Sequence, residues 1–419
     1  MTTGEVIIMA SGTPSGVGEN LARIRTRRGM TPEELAERSG VTVATVRKLE
    51  QGGRATARVS TLHRLARGLS VRTSDLFGVA QPEPANGETQ QVGLMALRHV
   101  LTPARSVPVE PFADDDGGEP DLARLRASVD AANRLYHHDD YPATSRALPA
   151  LISEARAAER GVRSGDRDQA LILLGQALQL AGSVLIQTRQ YDLAYQALSG
   201  AIDAVESAGQ PLAAASGVVS LCWLFLRQGR FAEAEEMATR TADDIEPRMS
   251  KASIAHMATW GWLLLRGSAA AVRDNRIDEA DDMLRLARAA ASRIGRDIVD
   301  FSEYWTSFGP STVAMKAAEN AMVAGQPGRV LDLAGRIPSS GRPTSNNRNR
   351  CMLDVANAHL EHRSRAEALQ VLFDIRSAAP EWLRQQRYAK DIVGRIVETR
   401  VRALSAETRE LADFLAVPY

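Results

Sequence analysis

Most of this chain is organised by one recurring pattern: a polar turn, then a bulky apolar residue, then alanines at helical spacing. Around Tyr191, for example, a turn at Arg189 precedes the tyrosine, and Ala194 and Ala201 follow it. Small residues on one face of a helix let a second helix pack closely against it. Each unit therefore predicts two helices joined by a tight turn, and successive pairs must stack because one pair cannot bury its apolar face alone.

Six such units lie between residue 122 and the C-terminus. Their turns and following residues are 138–141 with Ala147, 189–191 with Ala194 and Ala201, 229–231 with Ala234 and Ala238, 275–277 with Ala280 and Ala287, 325–327 with Val330 and Ala334, and 363–365 with Ala368 and Pro380. The units resemble tetratricopeptide repeats, although they are spaced about 40 to 50 residues apart rather than ~34. The pattern predicts an all-α solenoid over residues 121–419, without strands.

The end of this array is predicted to be closed by capping helices at about 384–404 and 407–415, because a solenoid otherwise ends in an open apolar face. Within the array, Phe301, Tyr304, Trp305 and Phe308 recur at helical spacing and predict a buried helix face.

Stacked helix pairs curve so that the first helix of each pair lines the inner wall, where a ligand would bind. Amide side chains can bond an extended peptide, and tryptophan and arginine offer stacking area and charge. For each residue, core packing or simple solvation is the competing interpretation. The predicted ligand-binding residues are Asn133, His137, Gln179, Gln187, Trp223, Arg227, Trp262, Arg273, Met315, Glu319, Arg350 and Asn357.

Residues 18–78 carry a second, separate pattern of five short helices. Thr31 and Glu34 have the spacing of a capping box, and Pro32 suits the first helical position. Gly40 supplies the left-handed turn between two helices, and Thr42 can cap the second of them. The segment predicts a helix–turn–helix, whose second helix is of a kind that enters the major groove of DNA.

The outward positions of that second helix are predicted to contact DNA, together with two arginines beyond its end. Arginine and lysine can donate to guanine, small apolar groups can touch a thymine methyl, and threonine can bond phosphate. The predicted DNA-binding residues are Thr42, Val43, Ala44, Thr45, Arg47, Lys48, Arg54 and Arg58.

These residues resemble the XRE (Cro/cI-type) family, whose heads are five-helix, lambda-repressor-like helix–turn–helix domains. The resemblance implies that Arg25 and Glu50 form a structural pair that fixes how the helices sit. It also implies a phosphate-binding glutamine at the start of the first helix of the unit, but this chain has Pro32 there, which cannot donate. The phosphate contact made by that glutamine is therefore not carried over.

Charge favours DNA over a purely structural role for the helix–turn–helix. Residues 18–78 hold twelve Arg or Lys and six Asp or Glu, a net +6, whereas the remaining chain holds 39 and 45, a net −6. A neutral protein with its positive charge concentrated on one small segment suits a polyanionic partner.

The remaining segments complete the domain plan. Residues 1–17 are rich in Gly, Ser and Thr and are expected to be disordered; residues 79–120 are expected to form a linker, in which residues 92–101 suit either a strand or a short docking helix. Cys222 and Cys351 are expected to be reduced core residues. No apolar run of membrane-spanning length and no nucleotide, nucleophile or metal motif is recognised, so we expect a cytoplasmic protein that is not an enzyme, with no cofactor or metal.

Taken whole, the chain resembles actinobacterial XRE regulators with a C-terminal tetratricopeptide-repeat domain, similar to peptide-sensing quorum regulators. The residues that carry this are Phe308-Gly309-Pro310, Leu353-Asp354-Val355-Ala356 and Arg387-Tyr388, with Ser311-Thr312 where relatives often have Thr-Asn. The resemblance implies a homodimeric transcription factor that binds a double-stranded DNA operator and senses a peptide or small molecule. The alternative is a repeat-containing adaptor for a protein partner, with the helix–turn–helix as a DNA tether.

Overall fold

The computed structural model describes residues 17–51, 59–77, 94–103, 120–300, 306–337, 345–398 and 404–419. It divides into two compact units, which we call the head (residues 1–85 with 273–276) and the body (residues 86–272 and 277–419). Residues 1–16 of the N-terminus predicted to be disordered, and most of the predicted linker, lie outside the described residues, as do Arg54 and Arg58. Val17, the last residue of that predicted segment, begins the first helix.

The described part of the head is all-helical, as predicted. Its helices are α1 (Val17–Arg27), α2 (Pro32–Ser39), α3 (Val43–Glu50), α4 (Val59–Leu69) and α5 (Ser74–Phe77). The capping box at the start of α2 is complete, because Thr31 accepts from the backbone of Glu34 and the Glu34 carboxylate accepts from the backbone of Thr31. Gly40 ends α2 at a φ of 63°, in the left-handed region that the turn requires.

Two contacts fix where α3 lies in the head. Val46 and Leu49 are buried in the head core on one side of the helix. Gly18 of α1 approaches the C-terminal end of α3 so closely that a β-carbon at Gly18 would clash with the Leu49 carbonyl oxygen. Because the inner face of α3 is held in this way, its opposite face is directed outward.

The Arg25–Glu50 pair expected from the resemblance is present. The Arg25 guanidinium donates to both carboxylate oxygens of Glu50, at 2.6 and 2.8 Å, and also to the carbonyl oxygen of Met30 at 2.7 Å. The hydrogen bond that Arg25 donates to Glu50 raises the pKa of Arg25, and both side chains are largely buried. The pair therefore ties α1 to the end of α3 and is structural.

The body is built from helix pairs. These are α7 (Leu122–His137) with α8 (Tyr141–Gly161), α9 (Arg167–Gln187) with α10 (Tyr191–Ser207), α11 (Pro211–Gln228) with α12 (Phe231–Asp244), α13 (Ile254–Arg273) with α14 (Ile277–Ile294), α15 (Pro310–Val323) with α16 (Pro327–Ala334), and α17 (Ser345–Glu361) with α18 (Arg365–Ala378).

Each predicted turn joins the two helices of one pair, and each contains a residue with positive φ. These residues are Asp139, Arg189, Gly229, Asn275, Gly325 and Arg363, with φ between 61° and 79°. A left-handed residue lets the chain reverse directly after a helix, so the second helix can pack back on the first. The buried alanines that follow, such as Ala194, Ala234 and Ala280, lie at the contact between paired helices.

Before the first pair, α6 (Met95–Leu101) belongs to the body. Leu97 of α6 is fully buried, Arg98 donates to the side-chain oxygen of Gln190 at 2.5 Å, and Arg156 donates to the Val100 carbonyl. Of the two possibilities for residues 92–101, a docking helix is therefore the one observed.

Phe308 and three aromatic residues before it were predicted to form one buried helix face. That prediction was wrong at Phe308, which lies in a described segment. Strands β1 (Ile298–Asp300) and β2 (Thr306–Phe308) pair antiparallel, and Phe308 is buried in β2; Phe301, Tyr304 and Trp305 lie outside the described residues. Gly295 ends α14 in the left-handed region, so the helix cannot carry the apolar spacing onward. Aromatic residues are equally typical of strands, and the spacing alone did not distinguish the two.

The C-terminal helices are α19 (Pro380–Gln385), α20 (Arg387–Glu398) and α21 (Ala406–Phe414), so the helix predicted over 384–404 is interrupted at Gln386. Their apolar residues share one hydrophobic core with those of α7 to α10. Gln386 also donates to the side-chain oxygen of Gln187 on α9 at 3.4 Å. The last helices therefore pack against the first pairs as well as covering the end of the array.

Two segments of the body, Ser164–Gln187 and Pro211–Gln228, are long and apolar enough to span a bilayer, contrary to the expectation from sequence. In the fold, however, 72% of the apolar window of the first and 50% of that of the second is buried. Burial between neighbouring helices accounts for this composition, as in the core helices of other helical arrays.

Candidate functional site

The start of α3 presents small polar and apolar groups. Thr42 is exposed and caps the helix by accepting from the backbone N–H of Thr45, and the two hydroxyl groups are 2.9 Å apart. Ala44 is exposed, whereas Val43 is half-buried and packs against the head core. The N-terminus of a helix favours negative charge, so this end of α3 suits a phosphate or a base edge.

One turn later α3 presents two cations, both exposed. Arg47 forms an ion pair with Glu33 on α2. Lys48 has no acidic partner among the described residues, so its ammonium group is available to another molecule. The exposed face of α3 therefore combines hydroxyls, a methyl group and two cations, which together suit the major groove of DNA.

The body contains a cavity of about 160 Å³. All six first helices of the pairs contribute to its wall, together with β2 and α19. The lining residues are Tyr136, His137, Gln179, Ser183, Gln187, Ser216, Val219, Ser220, Trp223, Arg227, Trp262, Arg266, Ser307, Lys316, Asn346, Asn347, Arg350 and Trp382.

Seven of the twelve residues predicted to bind a ligand line this cavity: His137, Gln179, Gln187, Trp223, Arg227, Trp262 and Arg350. The other five lie elsewhere. Asn133 is buried beside the cavity wall on α7, Met315 packs in a separate apolar core, and Arg273 ends α13. Glu319 pairs with Lys316 at 2.9 Å, and Asn357 accepts from Arg395 at 2.7 Å.

The charged residues that line the cavity are all cations. Arg227, Arg266, Lys316 and Arg350 line it, and among the described residues no Asp or Glu does. Behind the wall, Glu319 pairs with Lys316, and Asp354 lies 3.6 Å from Arg350.

Burial makes one of these cations, Lys316, unusual. Burial lowers the pKa of Lys316, and the positive charges of Arg266 and Arg350 lower it further, while Glu319 opposes both effects. Additional negative charge in the cavity would therefore stabilise the protonated lysine.

Two tryptophans form the aromatic part of the wall. The Trp262 indole N–H donates to the Ser307 carbonyl oxygen at 2.7 Å, which fixes its ring against β2. The Arg266 guanidinium lies 5.0 Å from the ring centre of Trp262 and 5.8 Å from that of Trp223. The guanidinium is thus within cation–π range of both rings, and this attraction stabilises its placement.

A polar network covers another side of the cavity. The Asn346 side-chain oxygen accepts from the Tyr141 hydroxyl at 2.8 Å and from the Gln187 amide at 3.3 Å. Gln179 donates to the Ser216 carbonyl and to the Ser220 hydroxyl, each at 3.2 Å. These amides are held in fixed orientations, as a selective binding site requires.

Two further wall residues have shifted proton affinities. Burial lowers the pKa of His137 to about 4, with the neighbouring charge of His138 adding to the effect. Burial raises the pKa of Tyr136 to about 12. Both side chains are thus neutral at neutral pH, and the positive charge of the wall comes from its arginines and lysine.

Sequence reasoning missed Arg266, Lys316 and Trp382. Arg266 could have been found, because Trp262 and Arg266 repeat the four-residue spacing of Trp223 and Arg227 on the previous first helix. Two residues of this spacing lie on one face of a helix. Lys316 was missed because the face of α15 was placed one residue away, at Met315 and Glu319.

The two cysteines, whose thiols could in principle react, have a structural role in the fold. Cys222 and Cys351 are unpaired and buried, and burial raises the pKa of each thiol to about 12. Across the described ranges, no group of three or more His, Cys, Asp or Glu side chains is arranged to hold a metal ion.

Comparison with known families agrees with the geometry of the head. Residues 21–76 match a family model described as Helix-turn-helix, which covers the head and none of the body. The match supports an XRE-type, DNA-binding regulator. No curated protein matches the chain.

Proposed function

We propose that the protein is a sequence-specific transcriptional regulator that inserts α3 into the major groove of an operator. The observation that carries this proposal is the exposed face of α3, where Thr42, Ala44, Arg47 and Lys48 lie outside while Val46 and Leu49 are buried. Base edges would be contacted by Arg47, Lys48 and the Ala44 methyl group, and phosphates by the threonines. Arg54 and Arg58 are proposed to add phosphate contacts.

We further propose that the body is a tetratricopeptide-like sensing and dimerisation domain of a cytoplasmic regulator. The cavity supports this role, since it gathers seven of the predicted ligand-binding residues at one place. Regulators with this kind of head bind DNA as dimers with their two recognition helices about 34 Å apart. A ligand that binds one arrangement of the dimer more tightly would change the population competent to bind an operator.

Operator binding can be tested with the full chain and DNA selected by it from a random library. Fluorescence anisotropy would measure the affinity of wild type, Lys48→Ala and, as a matched control, Lys251→Ala in the body, which removes the same charge. We expect Lys48→Ala to weaken binding by about 1–3 kcal/mol if Lys48 contacts a base, and Lys251→Ala to leave it unchanged.

The dependence on sequence and salt separates the possible roles of Lys48. Loss limited to the selected sequence indicates base contact, whereas uniform loss with a shallower salt dependence indicates phosphate contact. Equal affinities for Lys48→Ala and wild type at moderate salt would refute the proposed placement of α3. Native mass spectrometry of the same samples would test the proposed dimer.

A further inference from the structure

Lysine is rare in this chain, and one of its few lysines lies in the cavity wall. Among the 51 Lys and Arg residues, the lysines are Lys48, Lys251, Lys316 and Lys390. Two other buried or half-buried ion pairs, Arg25–Glu50 and Arg350–Asp354, use arginine. Arginine keeps its proton in proteins, whereas a buried lysine can lose its proton and become a nucleophile. A lysine at residue 316 therefore permits chemistry that an arginine in the same ion pair would exclude.

Lys316 is buried and faces the cavity. Its side chain is 11% exposed and lines the wall, whereas its partner Glu319 does not. The Lys316 ammonium group donates to a Glu319 carboxylate oxygen at 2.9 Å, and it lies 5.8 Å from the centre of the Trp262 ring. A carboxylate within hydrogen-bond distance can take up the proton of the ammonium group. The wall thus combines an amine, a proton acceptor and a flat apolar surface.

The charges around Lys316 favour the loss of its proton. Burial lowers the pKa of Lys316, the positive charges of Arg266 and Arg350 lower it further, and Glu319 opposes these effects without cancelling them. Removal from water close to other cations is a known way to activate a lysine as a nucleophile. By contrast, Lys48 and Lys251 are exposed to solvent.

An unsatisfied donor gives an independent indication that the cavity binds a molecule. Trp382 lines the cavity and is 2% exposed, and its indole N–H has no acceptor among the described residues. A buried donor without an acceptor is costly, and such groups in native proteins call for an explanation. An oxygen atom of a bound ligand would supply the acceptor, so the cavity suits a small molecule that contains oxygen.

The size of the cavity limits what that molecule can be. Its volume of about 160 Å³ is close to the ~150 Å³ of a cavity known to hold benzene, and it is well below the ~300–1,000 Å³ of pockets for larger ligands. A molecule with a single ring or a short chain fits this space, whereas a peptide of several residues does not.

We propose that Lys316 captures a small aldehyde or ketone in the cavity as a reversible imine. Glu319 first accepts a proton from the ammonium group. The neutral amine attacks the carbonyl carbon, the electron pair of the C=O bond moves to oxygen, and a proton moves from nitrogen to that oxygen, which gives a carbinolamine. The protonated Glu319 then returns its proton to the hydroxyl group. The C–O bond breaks, water leaves, and the C=N bond forms.

The products are a protonated imine, water and the Glu319 carboxylate, so charge is conserved and no oxidant or reductant is needed. Water reverses the reaction, and the captured molecule can therefore leave again. This inference rests on the proposed sensing function, and it narrows the effector from a peptide or small molecule to a carbonyl compound of about one ring.

Trapping with a mild reductant tests the proposal on the full chain. Benzaldehyde and the smaller propanal are the probes, and sodium cyanoborohydride reduces an imine to a stable secondary amine. Mass spectrometry of the intact protein and of its peptides would count and locate the labels, and four lysines are few enough to follow separately. We expect at least one aldehyde to label Lys316 at pH 7 at least tenfold faster than Lys48 or Lys251, because binding in the cavity holds the carbonyl beside the amine.

The dependence on concentration separates capture in the cavity from ordinary surface reaction. The labelling rate at Lys316 should saturate as the aldehyde is raised to about 10 mM, which covers weak affinities, whereas the rates at Lys48 and Lys251 should rise in proportion. Benzyl alcohol has the ring of benzaldehyde without its carbonyl group. It should slow the labelling of Lys316 by benzaldehyde and leave the exposed lysines unaffected.

Two matched variants locate the reaction. Lys316→Arg keeps a cation beside Glu319 but cannot form an imine, so it should lose the fast, saturable label. Lys251→Arg makes the same change at an exposed lysine and should retain that label. Should Lys316→Arg fail to fold, the peptide map of the wild-type protein still identifies the labelled residue.

Other outcomes overturn the inference. Labelling of Lys316 by neither aldehyde, or no faster than that of the exposed lysines, would do so, as would a rate without saturation, a rate unaffected by benzyl alcohol, or a saturable label retained in Lys316→Arg. Operator affinity of labelled and unlabelled protein keeps the proposals apart. An unchanged affinity would refute sensing through Lys316 while the imine chemistry stands, and labelling can fail while α3 still binds DNA.

Discussion

The outer face of α3 and the cavity of the body both present arginine and lysine, but only α3 presents them to solvent. Arg47 and Lys48 are exposed, and the partner of Arg47 is exposed as well. Lys316 and Arg350 are mostly buried, and each is paired with a carboxylate that is also buried. The same residue types are therefore placed in two different electrostatic environments.

The difference predicts two kinds of electrostatic behaviour. Exposed cations interact weakly with any one charge and are screened by salt, so they suit a polymer that offers many phosphates together. Buried cations have lost water and interact strongly with a single charge of the right geometry. Removing an exposed charge should thus change binding and leave stability almost unaffected, whereas removing a buried one should change stability first.

The largest effect is expected for Glu319→Ala, which leaves Lys316 buried without its paired carboxylate. We expect it to lower the free energy of unfolding by about 3 kcal/mol, as measured by urea denaturation. Asp282→Ala is the matched control, because Asp282 and Arg285 form an ion pair of the same three-residue spacing that is exposed. Its cost should stay below about 0.5 kcal/mol. If the two variants lose equal stability, burial does not distinguish the two environments.

A smaller effect on stability is expected when the pH is lowered. The cavity wall contains His137, which can bind a proton, whereas α3 contains no histidine. Burial holds the pKa of His137 at about 4, below the ~6.5 of the unfolded chain. The unfolded state therefore binds more protons between these values, so the stabilising contribution is complete above pH ~6.5 and is lost as pH falls towards 4.

Between pH 7 and pH 5, wild type should accordingly lose about 2 kcal/mol more stability than His137→Gln, measured by urea denaturation at both pH values. His99→Gln, at an exposed position on α6, should retain the wild-type pH dependence. A His137→Gln protein that follows wild type at both pH values would contradict the assignment of a neutral, buried His137.

The two regions also differ in how far the sequence could predict them. In the head, Thr31, Glu34, Gly40 and Thr42 act through contacts within a few residues, and the predicted caps and turn are present. The turns of the body were found for the same reason, since each depends on one left-handed residue at a known position. Caps and turns of this kind can be predicted from a single sequence, because the residues that form them are close together in the chain.

The cavity wall depends on how each helix is rotated about its axis, and long-range contacts decide that rotation. On α15, Asn320 donates to the Ser268 hydroxyl of α13 at 2.6 Å, and Asp297 accepts from the backbone N–H of Ser311 at 2.9 Å. These contacts turn Lys316 towards the cavity and Met315 into a neighbouring core. Neither contact could be inferred from spacing within α15, which is why the wall was placed one residue away.

The smallest effect tests whether the exposed pair on the head limits DNA binding. If Arg47 contacts phosphate or base as proposed, Glu33 competes for it, and an exposed ion pair is worth at most about 1 kcal/mol. Glu33→Gln should therefore strengthen operator binding by up to about fivefold in fluorescence anisotropy at moderate salt. Glu37→Gln is the control. It removes the same charge from the same helix, but Glu37 forms no ion pair within the part of the chain that the structure describes. Its smaller gain measures the general effect of removing one negative charge. An equal gain for both variants would mean that Glu33 acts only through net charge and that Arg47 is not held back by its partner.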